Sequence, residues 1–202
     1  MVQGYALVVQ CGRRAFSVVK CRQLARYCAD FMLNPAVIIR TFAAHDVLPT
    51  IELNNANIPE LNELDEAEVI RLAGLSVSAL VAEVAGDDGQ SRFGGFCWVL
   101  GPGQDYASLN YGWFSRQYSE FVYLDRIAVH SEFRRFGIGR GFYAALVEQF
   151  APTHPVLLCE VNVRPRNETS LKFHHSIGFR EVGQQDTDGG NKTVSLLELP
   201  LR

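Results

Sequence analysis

Long apolar runs and an excess of positive charge are both missing from the sequence. No apolar run approaches the roughly 18 residues that cross a bilayer. The 19 Lys and Arg residues are outnumbered by 22 Asp and Glu residues, which gives a net charge of −3 and leaves no surplus of cations for a nucleic-acid backbone. We therefore expect neither a membrane nor a nucleic-acid partner. With 202 residues, 48% of them hydrophobic, the chain is long enough to bury one core.

Cysteine is scarce and shows no pattern. The five cysteines are odd in number and none has C-x-x-C spacing, so the sequence predicts neither a disulfide framework nor a metal site. Reduced, mostly buried thiols are typical of a cytosolic protein, and we expect a cytoplasmic location. The cysteines are Cys11, Cys21, Cys28, Cys97 and Cys159.

Acidic residues are absent from the start of the chain, where the first is Asp30 although arginines and lysines precede it. Such a start is typical of a transit peptide, but serines are few and residues 5–9 form an apolar patch. Two other readings fit better: an accessory helix over about 13–31, or an upstream extension with translation beginning at Met32. We expect residues 1–36 to lie outside the main domain.

The stretch 123–150 carries the first motif. Residues 123–129 form an apolar, β-branched run that predicts a buried strand, and 140–150 repeat apolar residues at helical spacing. Glycines that precede a helix expose N–H groups at the positive end of the helix dipole, and nearby arginines add charge. This pattern predicts a phosphate or pyrophosphate site. The alternative is an ordinary strand-to-helix turn with solvated arginines.

The spacing within this loop excludes a dinucleotide fingerprint. That fingerprint requires G-x-G-x-x-G directly after the strand, with an acidic residue about 20 positions on. Glu160 meets the second requirement, but Phe142 occupies the third glycine position and seven residues separate Val129 from Gly137. The loop instead has the form Arg-x-x-Gly-x-Gly, with Arg134, Gly137 and Gly139 at the defined positions.

A second motif follows one predicted strand later. It has the form N-x-x-S-x-x-F-H-x-x-x-G-F, with Asn167, Ser170, Phe173, His174, Gly178 and Phe179 at the defined positions. Together the two motifs resemble the GNAT superfamily of acyl-CoA-dependent N-acyltransferases, whose loop reads Q/R-x-x-G-x-G/A and whose later motif reads N-x-x-S/A-x-x-F/L-Y-x-x-x-G-F. The resemblance covers roughly 37–201, so 37–202 is predicted to be a GNAT N-acetyltransferase domain preceded by an extension or accessory helix at 1–36.

The resemblance implies an α/β (α+β) fold with a mixed central sheet of about six to seven strands, helices on both faces, and a parallel strand pair splayed at the CoA site. Because strand, helix and strand follow one another, 123–129 and 155–161 should be parallel. Local patterns predict strands at 37–40, 76–83, 92–100, 123–129, 155–161, 179–184 and 192–199. They predict helices at 46–54, 65–72, 140–150 and 168–176, with Asp46, Asp65 and Asn167 as N-caps and Gly178 as the residue that ends the last helix. They also predict a long aromatic loop at 101–120 that either faces the substrate or packs onto the core.

The resemblance also implies the ligands and their contacts. Acetyl-CoA would be the co-substrate and an amine the acceptor. The pantetheine arm would bond to Ile127, Ala128 and Val129, and an N–H near Ile127 or Ala128 would stabilise the oxyanion. Asn167 and Ser170 would face the cofactor. The pyrophosphate would be held by Arg134, Arg135, Phe136, Gly137, Ile138, Gly139 and Arg140.

Three residues are candidates for catalysis. His174 stands where many family members carry a tyrosine that protonates the CoA thiolate, and an imidazolium, with a pKa of about 6.5 against about 10 for tyrosine, would be the better acid; a structural histidine is the alternative. Asp125 and Glu160, on the two predicted parallel strands, are candidates for the base that deprotonates the amine. Alternatively, Asp125 has a structural role and pairs with Arg126.

The preferred function is transfer of an acetyl group from acetyl-CoA to a primary amine by direct attack in a ternary complex, with a small molecule or amino acid preferred to a protein as acceptor. The alternatives are a catalytically silent acyl-CoA-binding or regulatory module and, more distantly, a dinucleotide-dependent oxidoreductase. Homodimers are common in the family, and the sequence leaves the oligomeric state open.

Overall fold

The computed structural model describes residues 10–11, 14–15, 34, 36–58 and 60–202. Gln10–Cys11 and Arg14–Ala15 pair as two short antiparallel strands; one of the two alternatives for this region was an accessory helix over about 13–31. The remainder of 13–31, and most of the predicted extension 1–36, lie outside the described residues. In the part of the chain that the structure describes, no helix is long and apolar enough to span a membrane.

A seven-stranded mixed sheet forms the centre of the molecule. The strands are β1 Val37–Thr41, β2 Ser78–Ala85, β3 Ser91–Leu100, β4 Val122–Val129, β5 Val156–Arg164, β6 Arg180–Thr187 and β7 Lys192–Pro200. Their order in the sheet is β1-β2-β3-β4-β5-β7-β6. Only β4 and β5 are parallel. The predicted mixed sheet and its parallel pair are confirmed, with strand ends displaced by no more than three residues.

Helices cover both faces of the sheet, as predicted. They are α1 Val47–Asn55, α2 Glu66–Leu75, α3 Leu109–Gln117, α4 Ile138–Phe150 and α5 Glu168–Ser176. On one face, Phe142 and Leu146 of α4 pack against Leu157 of β5. On the other, α1 and α2 cover Phe96 and Trp98 of β3, while α3 covers β4 and β5. Each face therefore has its own apolar core.

Helix α3 corrects the prediction that 101–120 is a loop throughout. It begins after Ser108, whose hydroxyl accepts a hydrogen bond from the Tyr111 N–H, as expected for an N-cap. Tyr111 and Phe114 are buried, three positions apart, and pack against the sheet. A groove of about 480 Å³ lies beside this helix and is lined in part by Tyr106 and Tyr118. Most aromatic residues here pack onto the core.

The ends of three other helices test the predicted caps. Asp65 Oδ1 accepts from the Glu68 N–H at 2.8 Å, and Asn167 Oδ1 accepts from the Ser170 N–H at 3.0 Å, so both caps are confirmed. Asp46 occupies the N-cap position of α1, but its carboxylate instead binds Arg40 and the N–H of Ala43. A strong ion pair therefore replaces the predicted cap.

Two irregularities in β4 create the space at the centre of the sheet. The parallel pairing with β5 is limited to Val122 with Leu157 and Tyr123 with Leu158, so the two strands separate beyond this point, as expected. The pairing with β3 skips Asp125, because Val99 pairs with Leu124 and Trp98 with Arg126. This extra residue is a β-bulge, which bends the strand and redirects side chains. Asp125 and Arg126 consequently lie within 3.3 Å of each other on the face covered by α1 to α3.

Candidate active site

Glu160 lies on β5 where the two parallel strands separate. Its Oε1 accepts hydrogen bonds from the Tyr123 hydroxyl at 2.9 Å and from the Asn110 amide at 3.0 Å. Its Oε2 is buried and has no hydrogen-bond partner among the residues that the structure describes. Burial, followed by the charge of Asp125, raises the pKa of Glu160 to about 7. A carboxylate with such a pKa and a free oxygen can accept a proton near neutral pH.

Asp125 faces the same space from β4. Its Oδ1 accepts from the Tyr106 hydroxyl at 2.6 Å, and its Oδ2 lies 3.3 Å from Arg126 Nε, too poorly aligned for a hydrogen bond. Burial raises the pKa of Asp125, while Arg126 opposes this shift. Because the charge of Arg126 favours the ionised form of Asp125, Asp125 binds a proton less readily. Of the two carboxylates, it is therefore the less suitable base.

Arg126 connects this site to α1 and the segment that follows it. Its Nη1 donates to Asn54 Oδ1 at 2.9 Å and to the carbonyl of Asn62 at 2.8 Å. The side chain is 7% exposed. The structural partnership with Asp125 that the sequence left open is therefore present, and Arg126 also fixes Asn54 and Asn62 beside the site.

Two tyrosines that were not predicted as site residues, Tyr106 and Tyr123, form a cluster with Asp125 and Glu160. Burial raises the pKa of both Tyr106 and Tyr123, and the neighbouring carboxylates raise it further. Both phenols therefore stay protonated and donate to carboxylates. Tyr123 was detectable, since it stands two positions before Asp125 on one strand and side chains at that spacing share a face. Tyr106 gave no such signal because its position depends on a loop.

The predicted pyrophosphate loop lies between β4 and α4. Gly137 occupies the N-cap position with φ of +83°, a left-handed conformation that favours glycine. The N–H groups of the first helical turn, from Ile138 to Arg140, have no acceptor within the helix. Arg134 and Arg135 are exposed beside them. This is the arrangement of an anion site at a helix N-terminus.

Contacts between α4 and α5 bring the two sequence motifs together. A Cβ on Gly139 would lie 3.1 Å from the ring of Phe173, so glycine allows the two helices to approach closely here. Arg140 Nη2 donates to Ser176 Oγ at 3.1 Å. The start of α4 is thereby fixed against α5, and the loop is positioned relative to the second motif.

The end of β4 has one free edge. Ile127, Ala128 and Val129 pair with Cys97, Phe96 and Gly95 of β3, and they have no pairing with β5. Backbone groups on that edge face the opening between the strands. An extended ligand with amide groups could bond there as an additional strand. The geometry therefore suits the predicted contacts of these three residues with pantetheine, and those contacts stay a prediction.

His174 lies on α5 in a buried position, 3% exposed. Its Nδ1 is 2.7 Å from the Ser170 carbonyl, which only accepts, so we assign the ring proton to Nδ1. Its Nε2 then accepts from the Tyr143 hydroxyl at 2.7 Å. Burial lowers the pKa of His174 to about 4, and the ring is neutral near pH 7. His174 is therefore not a preformed imidazolium acid, and an acid role for it stays a prediction.

The two cysteines whose surroundings are described, Cys97 and Cys159, are free and buried. Burial raises the pKa of both thiols, so neither is a thiolate near neutral pH. Among residues 34, 36–58 and 60–202, no group of three or more His, Cys, Asp or Glu side chains is arranged to hold a metal ion.

Residues 106–196 match the family model described as the acetyltransferase (GNAT) domain. The matched region contains the loop before α4, both parallel strands and the α5 motif. This region is a GNAT acetyltransferase domain. GNAT acetyltransferases are enzymes whose co-substrate is acetyl-CoA, so the matched region is that of an acetyl-CoA-dependent acyltransferase.

Solved structures with the GNAT fold are similar to the chain over most of its length. The ribosomal-protein-S18-alanine N-acetyltransferase from Escherichia coli is 16% identical with a TM-score of 0.59, over 82% of this chain and 94% of that chain. The protein yncA from Salmonella typhimurium, solved with its cofactor acetyl-CoA, is 19% identical with a TM-score of 0.62, over 83% of this chain and 95% of that chain. NAA60 from Arabidopsis thaliana, solved with a bisubstrate analogue, is 15% identical with a TM-score of 0.65, over 81% and 97%. These similarities show the fold. No curated protein sequence matches the chain.

Replacing Gly137 with alanine is expected to weaken acetyl-CoA binding. The left-handed backbone at this position costs an alanine about 1–2 kcal/mol, and relief of that strain would turn the first N–H groups of α4 away from the pyrophosphate. The Michaelis constant for acetyl-CoA should rise about tenfold, with kcat at saturation little changed. Gly89→Ala is the matched control, because Gly89 has a similar φ of +76° in a hairpin turn with open space around it. An equal rise in both variants would contradict the assignment of the loop.

Proposed function

We propose that the chain is an N-acetyltransferase that moves an acetyl group from acetyl-CoA directly to a primary amine, with Glu160 as the base. The observation that carries this proposal is the position of Glu160 in the opening between β4 and β5. One oxygen is held by Tyr123 and Asn110, while the other is buried without a partner. A pKa of about 7 suits a group that accepts a proton from an attacking amine.

Acetyl-CoA is proposed to lie with its pantetheine arm along Ile127, Ala128 and Val129 and its pyrophosphate on the loop before α4. The free edge of β4 and the exposed N–H groups of the first turn of α4 support this placement. The thioester would then lie close to the bulge, between Asp125 and Glu160. An N–H near Ile127 or Ala128 would stabilise the oxyanion.

The proposed reaction is a direct displacement through a tetrahedral intermediate. The amine nitrogen attacks the thioester carbonyl, forming the C–N bond, and Glu160 takes a proton from that nitrogen. The C–S bond then breaks and CoA leaves as a thiolate. An acid role for His174 requires the ring to carry a second proton when the C–S bond breaks, a form that the developing negative charge on sulfur would favour. That proton would then pass to the thiolate. Free, buried Cys97 and Cys159 are consistent with a cytoplasmic location, which is part of the proposal.

The proposal is tested by measuring free thiol from acetyl-CoA with the purified full-length chain and a panel of primary amines. We expect thiol release that requires an amine, and an N-acetylated product in equal amount. Omission of the amine is the control for hydrolysis. An increase in melting temperature with acetyl-CoA, but no thiol release with any amine, would instead indicate a catalytically silent acyl-CoA-binding module.

A further inference from the structure

The space beside Glu160 has more negative than positive charge. Asp125 and Glu160 each contribute a buried oxygen without a hydrogen-bond partner, Oδ2 and Oε2. Arg126 acts on both carboxylates. Arg71 also acts on Asp125, but its charge is balanced by its ion pair with Glu68. With both carboxylates ionised, this cluster carries one uncompensated negative charge, which attracts an ammonium group and repels an anion.

Arg126 is already engaged with groups of the protein. Its Nη1 donates to Asn54 Oδ1 and to the carbonyl of Asn62, and its Nε forms an ion pair with Asp125 Oδ2 at 3.3 Å. The charge of the guanidinium is therefore paired with Asp125, which leaves the charge of Glu160 uncompensated.

The hydroxyl and amide groups that contact the two carboxylates donate to them. The hydroxyls of Tyr106 and Tyr123 donate to Asp125 and Glu160. The amide of Asn110 donates to Glu160, and its oxygen accepts from Gln185. Asp125 Oδ2 and Glu160 Oε2 are the carboxylate oxygens left to accept from an incoming ammonium group, since a carboxylate oxygen accepts hydrogen bonds and does not donate them.

We propose that the acceptor is a primary amine whose neighbouring group is uncharged, such as the α-amine of a peptide or amino-acid amide or a simple alkylamine, and that free α-amino acids are rejected. The inference rests on the proposed function and narrows its acceptor. A free amino acid carries a carboxylate on the carbon next to the reacting nitrogen, so bringing the nitrogen to Glu160 places that carboxylate against two others. This proposal departs from the preference for an amino acid that the sequence suggested.

The first test compares compounds that differ only in this carboxylate. Glycinamide and phenylalaninamide should have kcat/KM values at least about tenfold above those of glycine and phenylalanine. The amine groups of the amides and the free acids have different pKa values, which by itself affects kcat/KM. The products N-acetylglycinamide and N-acetylglycine have no ionisable amine. They are therefore compared as inhibitors of acetylation of the best acceptor. The amide should inhibit at a concentration at least about tenfold lower.

The second test changes the charge of the site. In Asp125→Asn, the amide-to-acid ratio of kcat/KM should fall several-fold for the same compounds at the same pH, because one of the repelling charges is gone. Asp87→Asn removes the same charge from an exposed hairpin turn and should leave the ratio unchanged. Equal use of amides and acids, or a ratio that Asp125→Asn does not move, would overturn this inference and leave the proposed function standing. Absence of turnover with every amine would overturn both.

Discussion

Replacement of Glu160 by glutamine is expected to lower kcat by a factor of about 100 to 10,000, the usual contribution of a general base. Glutamine has nearly the same shape, and its Oε1 can still accept from Tyr123 and Asn110. It cannot take a proton from the attacking nitrogen. The measurement is thiol release at saturating acetyl-CoA and amine, with circular dichroism to show that the fold is kept. A kcat within threefold of the wild type would contradict the assignment of the base.

The pH dependence gives the same residue a second signature. Glu160 must be ionised to accept a proton, so the wild-type rate should rise as pH increases through about 7, the value to which burial and the charge of Asp125 raise its pKa. The increase in rate should stay centred near pH 7 when acceptor amines of different basicity are used. This distinguishes ionisation of Glu160 from ionisation of the amine. In Asp125→Asn the increase should move to lower pH, because a repelling charge has been removed. In Glu160→Gln it should be absent.

Much of the fold follows from short-range patterns. The strand β4, the glycine loop and the helix α4 were all predicted, because apolar periodicity and glycine position are local properties. The parallel arrangement of β4 and β5 followed from the handedness of the strand-helix-strand connection. Asn167 and Gly178 marked the two ends of α5, and the structure confirms both, with Gly178 at φ of +100°.

The bulge at Asp125 could not be predicted from the sequence. Strict alternation along β4 would place Asp125 and Arg126 on opposite faces of the sheet. The observed register skips one residue opposite Trp98 and Val99, and that choice depends on how β3 packs, which is a long-range property. Helix α3 was missed for a similar reason, since Gly112 and Asn110 are poor helix formers and burial of Tyr111 and Phe114 outweighs this local preference.

The motif predicted the position of His174 but could not predict its charge state. The motif places a residue on α5 facing the ligand site, and a reference pKa then suggests an acid. The pKa of the folded protein depends instead on burial, which lowers it to about 4, and on the hydrogen bond with Tyr143. Tyr143 belongs to α4, far away in the sequence. Position is encoded locally, while ionisation is set by tertiary structure.

The raised pKa of Glu160 also predicts how stability depends on pH. A carboxyl group whose pKa rises from 4.5 to about 7 on folding binds its proton more tightly in the folded state. Its protonated form therefore favours folding at low pH, and that stabilisation is lost as pH rises from about 4.5 to 7. Linkage gives a loss of roughly 2–3 kcal/mol between pH 5 and pH 8.

Glu160→Gln should remove this loss, because glutamine has no charge to bury. Relative to the wild type, the variant should have a similar melting temperature at pH 5 and one that is higher by roughly 5–10 °C at pH 8, given the usual conversion for a chain of this length. Glu120→Gln removes the same charge from an exposed position and should give no such pH-dependent gain. A Glu160→Gln variant that is less stable than the wild type at pH 8 would mean that the ionised carboxylate is compensated in the folded protein. Its pKa would then be too low for a base that works near neutral pH, so the same measurement also tests the mechanism independently of any substrate.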